Sequence, residues 1–110
     1  MKPIPRALLI HSAALCDVME SAWQGEEKTL AAQLERVRVE PCSRLVTSAD
    51  NRSVTITATL FYDCRNSTPA GVCFKVGQRV EFGGALYRVE TVEPLYDRRR
   101  LHHIEVGLCP

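Results

Sequence analysis

The amino-acid sequence predicts a mainly β fold, a small antiparallel β-barrel or sandwich with long loops and at most one short helix. Apolar and polar residues alternate with a period of two in several segments, which places alternate side chains on one face of a sheet. Stretches rich in Gly, Pro, Asn and Ser separate these segments, as is typical of short strands joined by turns. Because 110 residues suit one domain with a modest core, we expect residues 1–110 to fold as a single domain.

The first half of the chain is expected to contain two strands. One lies around the apolar segment ALLIHS, residues 7–12, and the other around ERVRVEP, residues 35–41, where valines alternate with charged residues up to a proline. A loop is expected at residues 43–53, because SRLVTSADNRS concentrates Ser, Asp and Asn.

Residues 26–36 are compatible with two structures. The segment is rich in helix formers, and Leu30, Leu34 and Val37 recur at helical spacing, which favours a short helix. Val37 and Val39 also alternate with charged neighbours, which favours a strand. The sequence leaves both structures open here, because tertiary context often overrides local propensity.

The strongest strand pattern is SVTITATLFYD, residues 53–63, which is rich in β-branched and aromatic residues. Alternate positions from Val54 to Tyr62 are apolar, whereas threonines occupy the positions between them up to Thr59. We therefore expect the apolar set to face the core. A second long loop should follow at CRNSTPAGVCFKVG, residues 64–77, which concentrates Ser, Asn, Gly and Pro.

The segment QRVEFGGALYRVETVEPL, residues 78–95, is predicted to form a hairpin. Gly83-Gly84 suits a two-residue turn, because glycine adopts the positive φ that such turns require. An alternating run that includes Tyr87 and Val89 follows the turn. Pro94 is expected to end this strand, since proline cannot donate a hydrogen bond to a neighbouring strand.

A final strand is expected at LHHIEVGL, residues 101–108. Strand alternation would place His102 on the face that also carries Ile104, Val106 and Leu108. The opposite face would carry Leu101, His103 and Glu105. We therefore expect the two histidines to point to opposite faces, one half-buried and one in solvent.

The charge balance restricts any electrostatic function to a local surface. Fourteen basic and 13 acidic residues give a net charge of +1, too small to draw the whole protein to DNA or to an anionic membrane. The candidate surface is the triplet Arg98, Arg99 and Arg100, between two predicted strands. Adjacent arginines can contact phosphates, but charged loop tips are also common without any ligand. The residues alone favour a solvated loop and leave the nucleic-acid contact open.

The sequence contains no motif of catalysis or cofactor binding. It lacks a glycine-rich phosphate loop, a nucleophile elbow and a His-Glu-x-x-His motif, so we expect no enzyme activity, no cofactor and no catalytic residue. Zinc ligands usually occur in closely spaced pairs, which this chain does not have, so we expect no metal site. The cysteines are odd in number and irregularly spaced, which predicts reduced thiols and no secreted disulfide framework: Cys16, Cys42, Cys64, Cys73 and Cys109.

Five segments together resemble a known family. They occur in the order KPIPRALLIHS, ERVRVEP, ITATLFYDCRNSTP, FKVGQRVEFGGALYRVETVEPLY and LHHIEVGL, from Lys2 to about Leu108. In this combination the chain resembles the small minor capsid proteins encoded by tailed phages and prophages, and among them the head-closure, or stopper, proteins of the head-tail neck. In that family a polar turn precedes His-His and a strand, so His102 and His103 would be strand residues. The resemblance does not extend to the cysteines.

The resemblance implies a structural, β-barrel-like virion protein that forms a homo-oligomeric ring beneath the portal. Such a head-tail connector would help to retain packaged DNA, offer a surface to the tail, and reside in the host cytoplasm before assembly. Its partners would be portal or adaptor and tail-completion proteins, with Arg98 to Arg100 at a ring interface or in nonspecific contact with packaged DNA, and no membrane. The alternative is a small soluble host β-barrel that binds nucleic acid as a monomer.

Overall fold

The computed structural model describes residues 2–21, 25–47 and 50–110. Within them the chain forms one short 3-10 turn, Arg6–Leu8, and six strands, and none of its helical segments is long and apolar enough to cross a membrane. The strands are β1 (His11–Ser21), β2 (Gly25–Thr47), β3 (Ser53–Asp63), β4 (Arg79–Phe82), β5 (Ala85–Asp97) and β6 (Arg100–Cys109). They pair antiparallel in the order β1-β2-β3-β6-β5-β4, and β4 pairs with β1. The sheet thus closes into an irregular barrel, which confirms the predicted fold class.

The core fills the inside of this closed sheet. The apolar side of β3 faces the core as predicted, because Ile56 and Leu60 are fully buried and Tyr62 is 2% exposed. On the opposite side Thr55 is exposed, but Thr59 is buried, contrary to the prediction. One side of every strand contributes to the core, as closure of a small barrel requires. The buried cluster comprises Ala13, Leu15, Leu34, Val37, Val39, Ala58, Leu60, Tyr62, Phe74, Val80, Val89, Ile104, Val106 and Leu108.

The first predicted strand is wrong in its position. Residues 7–12 were expected to be extended, but Arg6–Leu8 form a 3-10 turn and β1 begins only at His11. Leu8 and Ile10 are 47% and 65% exposed, so these apolar side chains are not buried in the sheet. Pro5 immediately precedes the turn, and its fixed φ directs the chain into it.

Residues 26–36 are part of a strand, so the helical alternative is wrong. A β-bulge in β2 explains the helical spacing of Leu34 and Val37. Ala13 lies opposite Leu34 and His11 opposite Val37, so β2 contributes one more residue than β1 between these pairs. Arg36 adopts a φ of 56° in this bulge. Because of the extra residue, the inward-facing Leu34 and Val37 are three positions apart, which is also the spacing of residues on one face of a helix.

The two predicted loops have different outcomes. Residues 43–47 are the end of β2, and Arg44 to Thr47 pair with the start of β3, so the loop predicted at residues 43–53 is wrong there. It is confirmed at residues 50–52, which lie outside any strand, and residues 48–49 lie outside the described part of the chain. The second loop is confirmed, because residues 64–78 connect β3 to β4. Its Phe74 packs edge to face on Tyr62, with ring centroids 5.5 Å apart, and Thr68 exchanges two backbone hydrogen bonds with Glu35 at 2.9 and 3.0 Å. This loop therefore contributes to the core at one end of the barrel.

The predicted hairpin between β4 and β5 is confirmed. Phe82 pairs with Ala85 across Gly83 and Gly84, whose φ angles of 59° and 80° are those of a tight turn that favours glycine. Pro94 does not end β5, contrary to the prediction, and pairs with Ile104. Among the described strands, this part of β5 pairs only with β6, so one missing amide donor is tolerated there.

Candidate functional site

The arginine triplet lies at the tip of the β5–β6 hairpin. Asp97 pairs with Arg100, and Arg98 and Arg99 form the turn between them, with Arg98 at a φ of 56°. All three arginines are exposed, and among the described residues none of their guanidinium groups has an ion pair or hydrogen bond. The tip, residues 97–100, therefore presents three positive charges to solvent.

The two histidines beside this tip contact each other, so the prediction that they point to opposite faces is wrong. Leu95 lies opposite His103 and Tyr96 opposite Leu101, which leaves His102 as the extra residue of a bulge. A bulge breaks the alternation of a strand. The Nδ1 atoms of the two rings are consequently 2.7 Å apart, both side chains are half-buried, and Leu101 packs against the core.

These rings form part of a longer hydrogen-bonded chain. His102 Nε2 lies 2.6 Å from the carbonyl oxygen of Lys2, and His103 Nε2 lies 3.0 Å from Glu105 Oε2. A carbonyl oxygen can only accept, so His102 Nε2 donates to the carbonyl oxygen of Lys2. The histidine pair thus acts as a structural connection between β6 and the first residues.

Residues 2–8, here called the N-terminal strap, cross the outside of β6, β3 and β2. The Ile4 amide donates to Asp63 Oδ1 at 3.1 Å, and the Asn66 side-chain amide donates to the Ile4 carbonyl oxygen at 2.8 Å. Farther along, Arg38 Nη1 donates to the carbonyl oxygen of Leu8 at 3.1 Å. Polar side chains of the barrel thus hold the strap by its backbone.

Asp63 is the central residue of this attachment, and sequence reasoning missed it. Its side chain is fully buried and accepts backbone hydrogen bonds from Arg65 at 3.1 Å and Asn66 at 2.7 Å, in addition to the one from Ile4. The sequence indicates this role by an aspartate at the end of a predicted strand, shortly before Arg-Asn-Ser. Short acidic side chains at such positions commonly accept hydrogen bonds from the turn that follows them.

The strap and the sheet enclose an apolar groove of about 350 Å³. Phe61 lies in it and stacks on His103 with ring centroids 6.4 Å apart. Arg38 and Glu40, which form an ion pair with a 2.7 Å N–O distance, border the groove. None of the described residues that line this groove is a serine, threonine, cysteine or lysine.

All five cysteines lie in the described residues, and they are unbonded thiols there. Burial raises the pKa of the Cys16, Cys64 and Cys109 thiols, which keeps them neutral. Across residues 2–21, 25–47 and 50–110, no group of three or more His, Cys, Asp or Glu side chains is arranged to hold a metal ion. The buried thiols of Cys16 and Cys109 therefore behave as small apolar residues, whereas the Cys73 thiol is exposed.

Comparison with known proteins gives one match. The model of a family described as "Minor capsid protein" matches residues 5–108, and searches of curated proteins and of solved structures found no match. The matched range runs from the N-terminal strap to the end of β6 and includes the arginine tip. The chain therefore belongs to the minor capsid protein family and is a structural component of a phage virion.

Proposed function

We propose that this minor capsid protein is a head-closure component of the phage neck. It assembles as a homo-oligomeric ring beneath the portal, helps to retain packaged DNA and receives the tail. The observation that carries the proposal is the tip with its three exposed arginines on a chain of net charge +1. In this role the protein performs no reaction, and it resides in the host cytoplasm until it joins the particle.

The packing of the barrel supports a ring. Core side chains fill the interior of the sheet, and Phe74 from the long loop packs against Tyr62 at one end. DNA therefore cannot pass through a single chain, and a passage for it requires several chains around a common axis. Cyclic assemblies of identical chains provide such an axis.

Ring symmetry also changes what the arginine tip can do. On one nearly neutral chain, a single triplet attracts DNA weakly and the attraction is screened by salt. A ring repeats the triplet around one axis, so the same charges act together on one partner. The partner is packaged DNA, the acidic surface of an adjacent portal, adaptor or tail-completion ring, or an acidic surface of a neighbouring copy of this chain.

The test is complementation of a phage that lacks this gene. The variant replaces Arg98, Arg99 and Arg100 together with serine, and the particles are scored for attached tails and packaged DNA. We expect a loss of about tenfold or more in infectious particles, because the tip is a contact that orients docking. The matched control replaces three exposed arginines elsewhere, Arg6, Arg44 and Arg52, and should complement like the wild type.

The scores separate the outcomes. Tail-less particles or particles that lose DNA, seen only with the tip variant, support the neck assignment. Full infectivity of the tip variant would make the triplet a solvated turn and remove the main support for the proposal. Tight, sequence-independent DNA binding by the free wild-type monomer would favour the alternative of a nucleic-acid-binding protein.

A further inference from the structure

A two-stranded ribbon projects from the barrel between β1 and β2. β4 pairs with β1 only over Ala14–Cys16, and β3 pairs with β2 only from Arg38 onward. Among the described residues, 17–21 and 25–29 therefore pair only with each other. We call residues 17–21 and 25–29 the arm. Its projection accords with the elongated shape of the molecule, which measures 47 Å by 28 Å by 26 Å.

The arm exposes apolar surface. Met19 is 68% exposed, and Leu30, directly at the base of the arm, is 61% exposed. An isolated two-stranded ribbon is at best marginally stable in water, so such a ribbon gains from packing against another surface. The described part of this chain provides no sheet on either side of the arm.

The arm and the β5–β6 tip have opposite charge. Residues 17–29 include four acidic residues and one lysine, a formal net charge of −3, and Lys28 already pairs with Glu81 on β4. Residues 97–100 include one aspartate and three arginines, a formal net charge of +2. Tyr96, next to the tip, is 61% exposed and offers an aromatic partner for a methionine.

The arm and the tip project from the same end of the barrel. On β4, Arg79 lies between Cys16 of β1 and Arg88 of β5. β1 and β5 both run antiparallel to β4, so both continue past Arg79 in the same direction, β1 into the arm and β5 towards Asp97. Complementary surfaces at the same end of the barrel allow a contact between neighbouring copies to close into a ring.

We propose that the arm of one copy packs against the β5–β6 tip and Tyr96 of the next copy around the ring. This inference rests on the proposed ring and identifies the surface that builds it. The contact is heterologous, since an acidic, methionine-bearing ribbon meets a basic, tyrosine-bearing hairpin. Of the partners proposed for the tip, it selects the neighbouring copy of this chain, and it covers the exposed side chain of Met19.

Photo-crosslinking in assembled particles tests the contact. A benzophenone amino acid replaces Met19, and in a separate control it replaces Leu86, which is 45% exposed beside the opposite end of the barrel. We expect the Met19 probe to give a ladder of linked copies of this chain, with the second site mapping to residues 96–100 by mass spectrometry. The Leu86 probe should give no product linked to that segment.

The outcomes distinguish the arm contact from the ring. Copies linked through Leu86 but not through Met19 would leave the ring in place and overturn the arm contact. No linked copies from either position would overturn the ring as well.

Charge exchange provides an independent readout. Glu26→Lys with Glu27→Lys on the arm, or Arg98→Glu with Arg99→Glu on the tip, should each reduce infectious particles about tenfold, because like charges then face each other. All four substitutions in one chain should restore most of the yield. Failure of the combined variant to exceed either pair alone would overturn the contact.

Discussion

At the scale of single residues, polar side chains attach the N-terminal strap to the barrel. Asp63 accepts hydrogen bonds from the strap and from the following turn, and the His102–His103 pair reaches the carbonyl oxygen of Lys2. Removing a buried acceptor of this kind lowers the free energy of unfolding, because the donors would remain buried without partners. The strap lies within the matched family range from residue 5 onward.

We expect Asp63→Ala to lower the free energy of unfolding by roughly 3 kcal/mol, since three backbone amides lose their acceptor. Asp63→Asn keeps one carbonyl oxygen and should lose roughly half as much. Urea unfolding followed by circular dichroism measures both changes. Glu93→Ala is the control, because its exposed pair with Arg44 should contribute less than about 1 kcal/mol. Equal values for Asp63→Ala and Glu93→Ala would contradict this role.

At the scale of secondary-structure elements, bulges determine which side chains meet. The bulge at His102 brings two ring nitrogens together, and the bulge of β2 near Arg36 places its carbonyl oxygen where Ser67 donates to it. A further bulge in β5 shifts the pairing between Val89 and Thr91. Extra residues at these positions bend the strands, which helps a short sheet to close on itself.

The close pairing of β5 with β6 leaves no room for a side chain at Gly107. A Cβ atom there would lie 2.2 Å from Thr91 Oγ1, so Gly107→Ala should destabilise the fold by about 1–3 kcal/mol. Thr91 Oγ1 is buried without a hydrogen-bond partner in the described structure, so Thr91→Ala alone should be nearly neutral. The double variant should recover most of the loss in urea unfolding.

The matched control for this rescue is Thr57→Ala. Thr57 Oγ1 is also buried without a partner in the described part of the chain. It is not among the three atoms nearest to the position that a Cβ would take at Gly107. Thr57→Ala should therefore leave the cost of Gly107→Ala unchanged. Equal rescue by both threonine variants would show that the clash is not local.

At the scale of the whole molecule, the balance of charge argues that the isolated protein is a poor DNA ligand. The net charge is +1, and the opposite charges of arm and tip project from the same end of the barrel. Long-range attraction to DNA therefore largely cancels outside the immediate surroundings of the tip. Assembly, rather than the single chain, has to provide any strong contact with the packaged genome.

We expect the isolated protein to bind duplex DNA with a Kd weaker than roughly 10 μM at physiological salt. The logarithm of affinity should fall with the logarithm of salt concentration with a slope no steeper than about −3, because the tip offers three arginines for phosphate contact. Fluorescence anisotropy at several salt concentrations measures both, and the triple-serine tip variant should flatten the slope. Nanomolar binding by the wild-type monomer would contradict this picture.

The sequence alone determined the features that depend on near neighbours in the chain. The alternation of β3, the Gly83-Gly84 turn and the strand-rich fold all follow from local spacing, and the structure confirms each of them. The exposed position of the arginine tip could also be expected, because charged turns between strands remain in solvent.

The tertiary structure decided the features that depend on distant partners. A bulge exists only where two strands pair, so neither the strand at residues 26–36 nor the contact between His102 and His103 could be found from spacing. Asp63 acquires its role from Ile4, 59 positions away. The opposite charges of arm and tip are visible in the sequence, but only the pairing of β1 and β5 with β4 places them at one end of the barrel.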